Sequence, residues 1–405
     1  MLFTILIGVI GAGIYAFKNL FLKIKFKIAG GNVSAVSKNH LTYAIFTDSK
    51  RYFNVFAPIM DVFESRKIPL TYLTASPDDP ALKTPYTYVS TVFVGEGNKA
   101  FAKLNMLDAD ILLSSTPSLD VYQWKRSKNV KFYVHILHAA NDATAYKMFG
   151  IDYFDALLLS GDYQIDQIRN LEALRHLPEK ELKVVGLPHM DEMLKRYEQA
   201  DPTLPHPTPT ILLAPTWGAN GILSKYGSRI LDALLATGYR IIVRPHPQSY
   251  TSDKDMLTRL MDAYPESDNL SWNRDNDNFD VLRQTDLLIS DFSGVIFDFT
   301  LIFDKPILYT KPDLDLSQLD ACWLEDPLWT FSILDAIGME LNDDNLSDVK
   351  SLIDTCLTEP RFAEGRDRAR RETWANIGHA AEDVVDYLVG KEAKLTCPSE
   401  ASSTP

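Results

Sequence analysis

From residue 40 onward, short apolar runs alternate with longer stretches in which apolar residues recur every three or four positions. Runs of the first kind read as buried strands and stretches of the second as amphipathic helices. Strands are predicted at Tyr43–Thr47, Leu70–Leu73, Thr91–Val94, Ile111–Ser114, Val130–Leu137, Ala156–Ser160 and Lys183–Gly186, with helices at Tyr52–Arg66, Asn98–Leu107 and Tyr163–Leu174. A second alternation runs from strand Thr210–Ala214 through helix Ser228–Thr237, strand Arg240–Arg244, helix Asp253–Tyr264, strand Asp286–Ser290 and helix Val295–Phe303 to strand Pro306–Tyr309. Such alternation implies parallel strands joined by helical crossovers, hence two α/β domains.

Between the two series, residues 201–209 read DPTLPHPTP, four prolines in nine residues, which is the composition of a linker. The expected organisation is therefore a first domain over residues 40–200, the linker at 201–209 and a second domain over 210–389. Asp348–Leu357 and the long stretch Arg361–Leu388 read as helices, with the last one expected to pack back across the first domain. Residues 390–405, rich in Ser, Pro, Lys and Glu, read as a frayed tail.

The first 30 residues follow a different pattern. Met1 to Phe17 carries no charged side chain and is followed by Lys18, Lys23, Lys25 and Lys27, an apolar segment near the minimum length for spanning a bilayer. A cleaved signal peptide places its charge before the apolar run, so this order favours a membrane anchor. Lysines on its C-terminal side predict a catalytic body in the cytoplasm and contact with anionic membrane lipids.

Charge separates the anchor from the rest. The whole 405-residue chain has 41 Lys and Arg against 54 Asp and Glu, a formal −13; without the four collar lysines, 37 against 54 leaves −17. A body so acidic is not a general nucleic-acid binder, which needs an excess of cations to neutralise phosphates. Three cysteines, Cys322, Cys356 and Cys397, are too few and too scattered for a disulfide framework or a zinc site.

Ligands of open α/β sheets bind beyond the carboxyl ends of strands, and four strand ends carry candidate chemistry. His138, at the transition from strand to loop in HILHAAND, titrates near neutrality and suits a base for an attacking hydroxyl, or a structural hydrogen bond; His135, inside the strand, reads as structural. Thr216 and the glycines of PTWGANG can donate to a phosphate, although a plain turn explains them too. In RPHP, two prolines restrict His246, so Arg244 as fixed cation and His246 as donor or general acid can meet a diphosphate. In SDFSGVIFDF, Ser290 ends a strand, Asp291 follows it, and a helix is expected to start after Ser293-Gly294 with Ser293 as its N-cap, its free NH groups suiting an anion. Asp298, in that helix's first turns, reads as a partner for a donor or nucleoside hydroxyl, or as a complement to the helix dipole.

Taken together, Ser290-Asp291-Phe292-Ser293-Gly294, the following Asp304-Lys305-Pro306, Pro245-His246-Pro247, Pro215-Thr216-Trp217 and Gly186-Leu187-Pro188-His189-Met190-Asp191 resemble the CDP-glycerol glycerophosphotransferase family of teichoic-acid-type synthesis. The resemblance covers roughly residues 130–330. It implies a GT-B-like pair of Rossmann-type domains with an interdomain cleft, preceded here by the membrane helix. It also implies CDP-glycerol as donor, a glycan, polymer or lipid-linked acceptor, and release of CMP, with His138 as base and His246 at the donor diphosphate. The chain departs from the pattern at Ala139, where the family has Gly, at Gly218, where an Arg follows the aromatic residue, and at His189, where it has Arg.

The same residues leave two other readings open: a sugar-nucleotide-dependent glycosyltransferase of the same fold, and a non-catalytic membrane-anchored module that binds nucleotide. Asp313-Leu314-Asp315 and Asp275-Asn276-Asp277-Asn278 fit solvated loops, so no bound metal is expected, with Mg2+ on the donor diphosphate left open.

Overall fold

The computed structural model describes residues 40–202, 207–275, 277–291, 293–311 and 315–396. The expected membrane segment, residues 1–30, lies outside them, as do residues 203–206 of the linker. Among the described residues no helix is long and apolar enough to cross a membrane.

Two parallel sheets form the protein. The first contains β1 (Leu41–Thr47), β2 (Leu70–Thr74), β3 (Val89–Phe93), β4 (Asp108–Ser114), β5 (Asn129–Ile136), β6 (Ala156–Leu159) and β7 (Glu181–Val184), in the order β3-β2-β1-β4-β5-β6-β7. The second contains β8 (Thr210–Leu213), β9 (Arg240–Val243), β10 (Leu270–Trp272), β11 (Leu287–Ser290), β12 (Ile307–Tyr309) and β13 (Gly338–Glu340), in the order β10-β9-β8-β11-β12-β13. Ile45 pairs with both Tyr72 and Leu113, and Ile211 with both Ile241 and Leu287, so β1 and β8 are central. Strand order reverses beside each of them. The crevices at β1/β4 and β8/β11 are therefore the places where this topology binds ligands.

Both faces of each sheet are covered, as continuous apolar strands require. On one face of the first sheet, Ile45, Tyr72 and Ile111 pack against Phe56, Ile59 and Phe63 of helix Phe53–Ser65 and against Val384, Val385 and Leu388. The last three belong to helix Ala380–Thr396, which returns from the second domain to the first. Leu187 and Met190 in turn join Leu212, Leu288, Phe299 and Trp374 in a core shared across the two domains. Each such fully buried side chain contributes about 1.5–3 kcal/mol relative to exposure.

Three expectations change. The predicted helix Arg361–Leu388 is two helices, Pro360–Thr373 and Ala380–Thr396, broken where Asn376 and Gly378 adopt φ of 52° and 83°. Asp191 fastens the break, accepting from Trp374 Nε1 at 2.9 Å and Ala380 N at 3.0 Å. The tail predicted from residue 390 is helical to Thr396, because Lys391 pairs with Glu181 and lies over the Phe132 ring. Residues 397–405 lie outside the described residues. Finally, β10 and β13 extend the second sheet by three residues each. At β13 only glycine fits: a Cβ on Gly338 would stand 2.1 Å from the Ile307 carbonyl oxygen of β12.

Candidate active site

The first domain contributes a chain of three aromatic side chains. His138 follows β5, and its Nδ1 lies 3.3 Å from the Tyr146 hydroxyl, which lies 3.0 Å from His135 Nε2. His135 is buried within β5, in the structural place expected of it. Burial, then the charges of His189 and Arg51, push the His138 pKa down to about 4, and burial followed by the charge of His138 pushes His135 down to about 3. Both rings are neutral at pH 7. On the other side of His138, the Tyr52 ring sits at a centroid distance of 4.8 Å.

The second domain contributes His246, from the loop after β9. Its Nδ1 accepts from Gln248 N at 3.1 Å, which fixes the tautomer: the neutral ring carries its proton on Nε2 and presents a donor there. Burial, and after it the charge of Arg51, lower the His246 pKa. Arg51, after β1, thus bears on a histidine of each domain, His138 after β5 and His246 after β9. The Asp298 Oδ1 lies 3.8 Å from His189 Nε2. His189, which stands where the resemblance expects Arg, thus meets Asp298 across the domain boundary.

The other expected phosphate contacts are largely spent on shaping the loops. Asp291 is buried and accepts from Thr216 N, Thr216 Oγ1 at 2.9 Å and Ile222 N, so it clamps the loop after β8. Ser290 is buried and donates to the Ala214 carbonyl at 2.6 Å. Neither faces open space, because each satisfies a polar group that burial would otherwise strand. Arg244 reaches Asn273 Oδ1 and, at 2.9 Å, the Asp275 carbonyl, which turns it toward the loop after β10. Ser293 is not the cap: Gly294 occupies that position, and no side chain caps helix Val295–Phe297. Thr216, Ser293 and Gly294 remain at the rim of the β8/β11 crevice, with Thr216 already donating its hydroxyl proton to Asp291.

Three contributors, Arg51, Tyr52 and Tyr146, were not expected from the sequence. The turn Lys50–Tyr52 follows β1 directly, so the strand-end rule that singles out His138 applies to it equally. Two further ties hold the loop after β5. Asp142 accepts from Trp329 N, Thr330 N and Thr330 Oγ1 at 2.8–3.0 Å, while the Asp320 carboxylate accepts from Phe149 N, Gly150 N and Arg175 at 2.7–3.1 Å. Elsewhere, a groove of about 670 Å³ opens between helices Phe53–Ser65 and Pro188–Gln199. Its lining includes Asp61, Asp191, Glu192, Glu198 and Glu382 with Lys195, a charge balance unsuited to a diphosphate. No group of three His, Cys, Asp or Glu among the described residues is placed to hold a metal ion.

A family model described as CDP-glycerol:poly(glycerophosphate) glycerophosphotransferase matches residues 107–318, just over half of the chain. The chain belongs to this family. The match contains His138, His189, His246 and Asp298 but not Arg51 and Tyr52. Over 227 residues this family member is 25% identical to the teichoic acid ribitol-phosphate primase of Bacillus spizizenii. That match takes in 47% of this chain and 54% of the other, so the chain spans about half the length of the curated relative it matches. Among solved structures, the wall teichoic acid polymerase TagF is similar with a TM-score of 0.52 and 16% identity, covering 94% of this chain and 96% of that one. The UDP-GlcNAc 2-epimerase of Neisseria meningitidis, bound to UDP-GlcNAc, is similar with a TM-score of 0.57 and 13% identity, covering 87% and 100%. At these identities the likeness concerns the fold, a pair of parallel-sheet domains of the GT-B-like kind.

Proposed function

We propose that this glycerophosphotransferase-family protein transfers a polyol phosphate, glycerol phosphate or ribitol phosphate, from a CDP-activated donor to a hydroxyl of a glycan or polymer acceptor. The observation that carries this reading is that His138 and His246, after strands of different sheets, both feel the charge of Arg51, while His189 and Asp298 bring the two domains within 3.8 Å beside them. The acceptor oxygen attacks the β-phosphorus of the donor and forms the new P–O bond. The bond from that phosphorus to the bridging oxygen breaks, and CMP leaves with the electron pair. The hydroxyl proton passes to His138 Nε2, while His246 donates from its Nε2–H to a diphosphate oxygen. The apolar segment 1–30 would hold the body beside a lipid-linked acceptor. Incubating purified protein with CDP-glycerol, CDP-ribitol and sugar nucleotides, with and without membranes, tests the proposal. CMP release from a CDP-polyol is the expected result, and turnover of sugar nucleotides alone would overturn it.

Tyr146 orients the base. When His138 Nδ1–H donates to the Tyr146 oxygen and Tyr146 O–H donates to His135 Nε2, the His138 Nε2 lone pair is left for the acceptor. Tyr146→Phe should lower kcat about tenfold to a hundredfold with KM nearly unchanged. A KM effect alone would place Tyr146 in substrate binding instead.

The depressed pKa of His138 also sets the pH response. A base works in its neutral form, and the His138 pKa is pushed down from its ordinary 6.5 to about 4. The rate should therefore show no acidic limb near pH 6.5 and fall only toward pH 4–5. A profile of kcat/KM between pH 5 and 8 checks this, and an inflection at the ordinary imidazole value would contradict it.

A further inference from the structure

Among the described residues expected to meet the diphosphate, none offers a free cation to the group being transferred. His138 and His246 are neutral at pH 7, Arg244 is turned to Asn273 and Asp275, and the position where the family has Arg is His189. A diphosphate entering this acidic body needs positive charge at the phosphorus under attack.

We infer that Arg51 binds the donor's β-phosphate, supplying from the first domain the cation that the second domain does not. This rests on the reading of the cleft as a nucleoside-diphosphate site.

Placement is the first argument. Lys50–Tyr52 is a single turn at the carboxyl end of β1, capped by Ser49, and so sits at the crevice where the order of the first sheet reverses. Asp48 N, donating to Thr116 Oγ1 at 3.3 Å, ties this loop to the one after β4. Tyr52 then packs its ring on His138 at 4.8 Å, so the turn is fixed beside the base.

Availability is the second. The exposed Arg51 guanidinium makes one internal side-chain contact, its Nε donating to Ser49 Oγ at 3.3 Å, and has no carboxylate partner among the described residues. Other cations of the first domain differ. Lys50 pairs with Asp78, Arg126 with Asp155, and Arg175 with Asp152 and Asp320. Arg51's terminal nitrogens keep the planar fork that matches a phosphate with two parallel hydrogen bonds. The influence of its charge on both His138 and His246 agrees with a position between acceptor and donor.

The test separates this inference from the proposed reaction. Affinities of CDP and CMP for the full chain and for Arg51→Met and Arg51→Lys are measured by calorimetry. Arg51→Met should weaken CDP tenfold to a hundredfold while changing CMP less than threefold, and Arg51→Lys should lie between. Unchanged CDP affinity, an equal loss for both nucleotides, or no CDP binding by the wild type would overturn the inference. If the wild type binds CDP yet releases no CMP from CDP-glycerol or CDP-ribitol, the polyol-transfer reading fails and the assignment of Arg51 to the β-phosphate stands. In an active protein, Arg51→Met should also move the acidic limb of kcat/KM upward, since removing the charge relieves the depression of the His138 pKa.

Discussion

Replacing His138 by alanine is expected to slow CMP release from a CDP-activated polyol about a thousandfold, the middle of the range for losing a general base. The reasoning starts from position. A ring at the end of β5, packed against Tyr52 and hydrogen-bonded through Nδ1 to Tyr146, has one nitrogen left to face the cleft. It is neutral at pH 7 because burial and the charges of His189 and Arg51 oppose protonation. In the proposed reaction the transferring phosphoryl group stabilises the imidazolium that forms, since among the described residues no carboxylate backs the ring through the Tyr146–His135 chain. Because the ring also packs on Tyr52 and bonds to Tyr146, the variant is assayed well below its own urea midpoint, where circular dichroism should match the wild type. A loss below tenfold in a folded variant would remove His138 from the role of base and favour a binding module.

What could be read beforehand divides along physical lines. Buried parallel strands are continuous apolar runs, so the central strands of both sheets were legible, as was His138 at the end of one of them. Edge strands β10 and β13 were not, because Leu270-Ser271-Trp272 and Gly338-Met339-Glu340 are too short to show a period. The motif around Ser290 and Asp291 was visible, but its work was not: those polar groups hold the Ala214–Ile222 loop from inside, and burial is a tertiary property. Arg51 carries no motif that marks it, and the pairing of Tyr146 with two histidines joins residues whose relation depends on how a loop folds back. Most hidden of all was Asp320, in a stretch rich in Asp, Leu and Ser that reads as a surface loop yet lies against the first domain.

Asp320→Ala is expected to cost about 3–5 kcal/mol of stability, the usual penalty for removing one partner of a buried ion pair. The Asp320 side chain is fully buried and that of Arg175 nearly so, and Arg175 also pairs with Asp152 at 2.8 Å. Burial raises the Asp320 pKa even beside Arg175, so the carboxylate depends on its donors, Phe149 N, Gly150 N and Arg175 Nη2. Without it, those donors lose their acceptor in a place water reaches poorly, which is the costly half of breaking a hydrogen bond. The consequence extends to the chemistry. Asp320 N donates to the Tyr146 carbonyl at 2.9 Å and Met148 N to the Gln318 carbonyl at 3.0 Å, so this strap from the second domain holds the residue that orients His138. Urea unfolding should show the lower midpoint, and kcat measured well below that midpoint should fall with it. Asp320→Asn, which keeps an acceptor of the same shape, should recover part of both. A midpoint shift worth less than about 1 kcal/mol would mean that the strap is held by the apolar contacts around it and that the Arg175 cluster adds nothing to the alignment of the base.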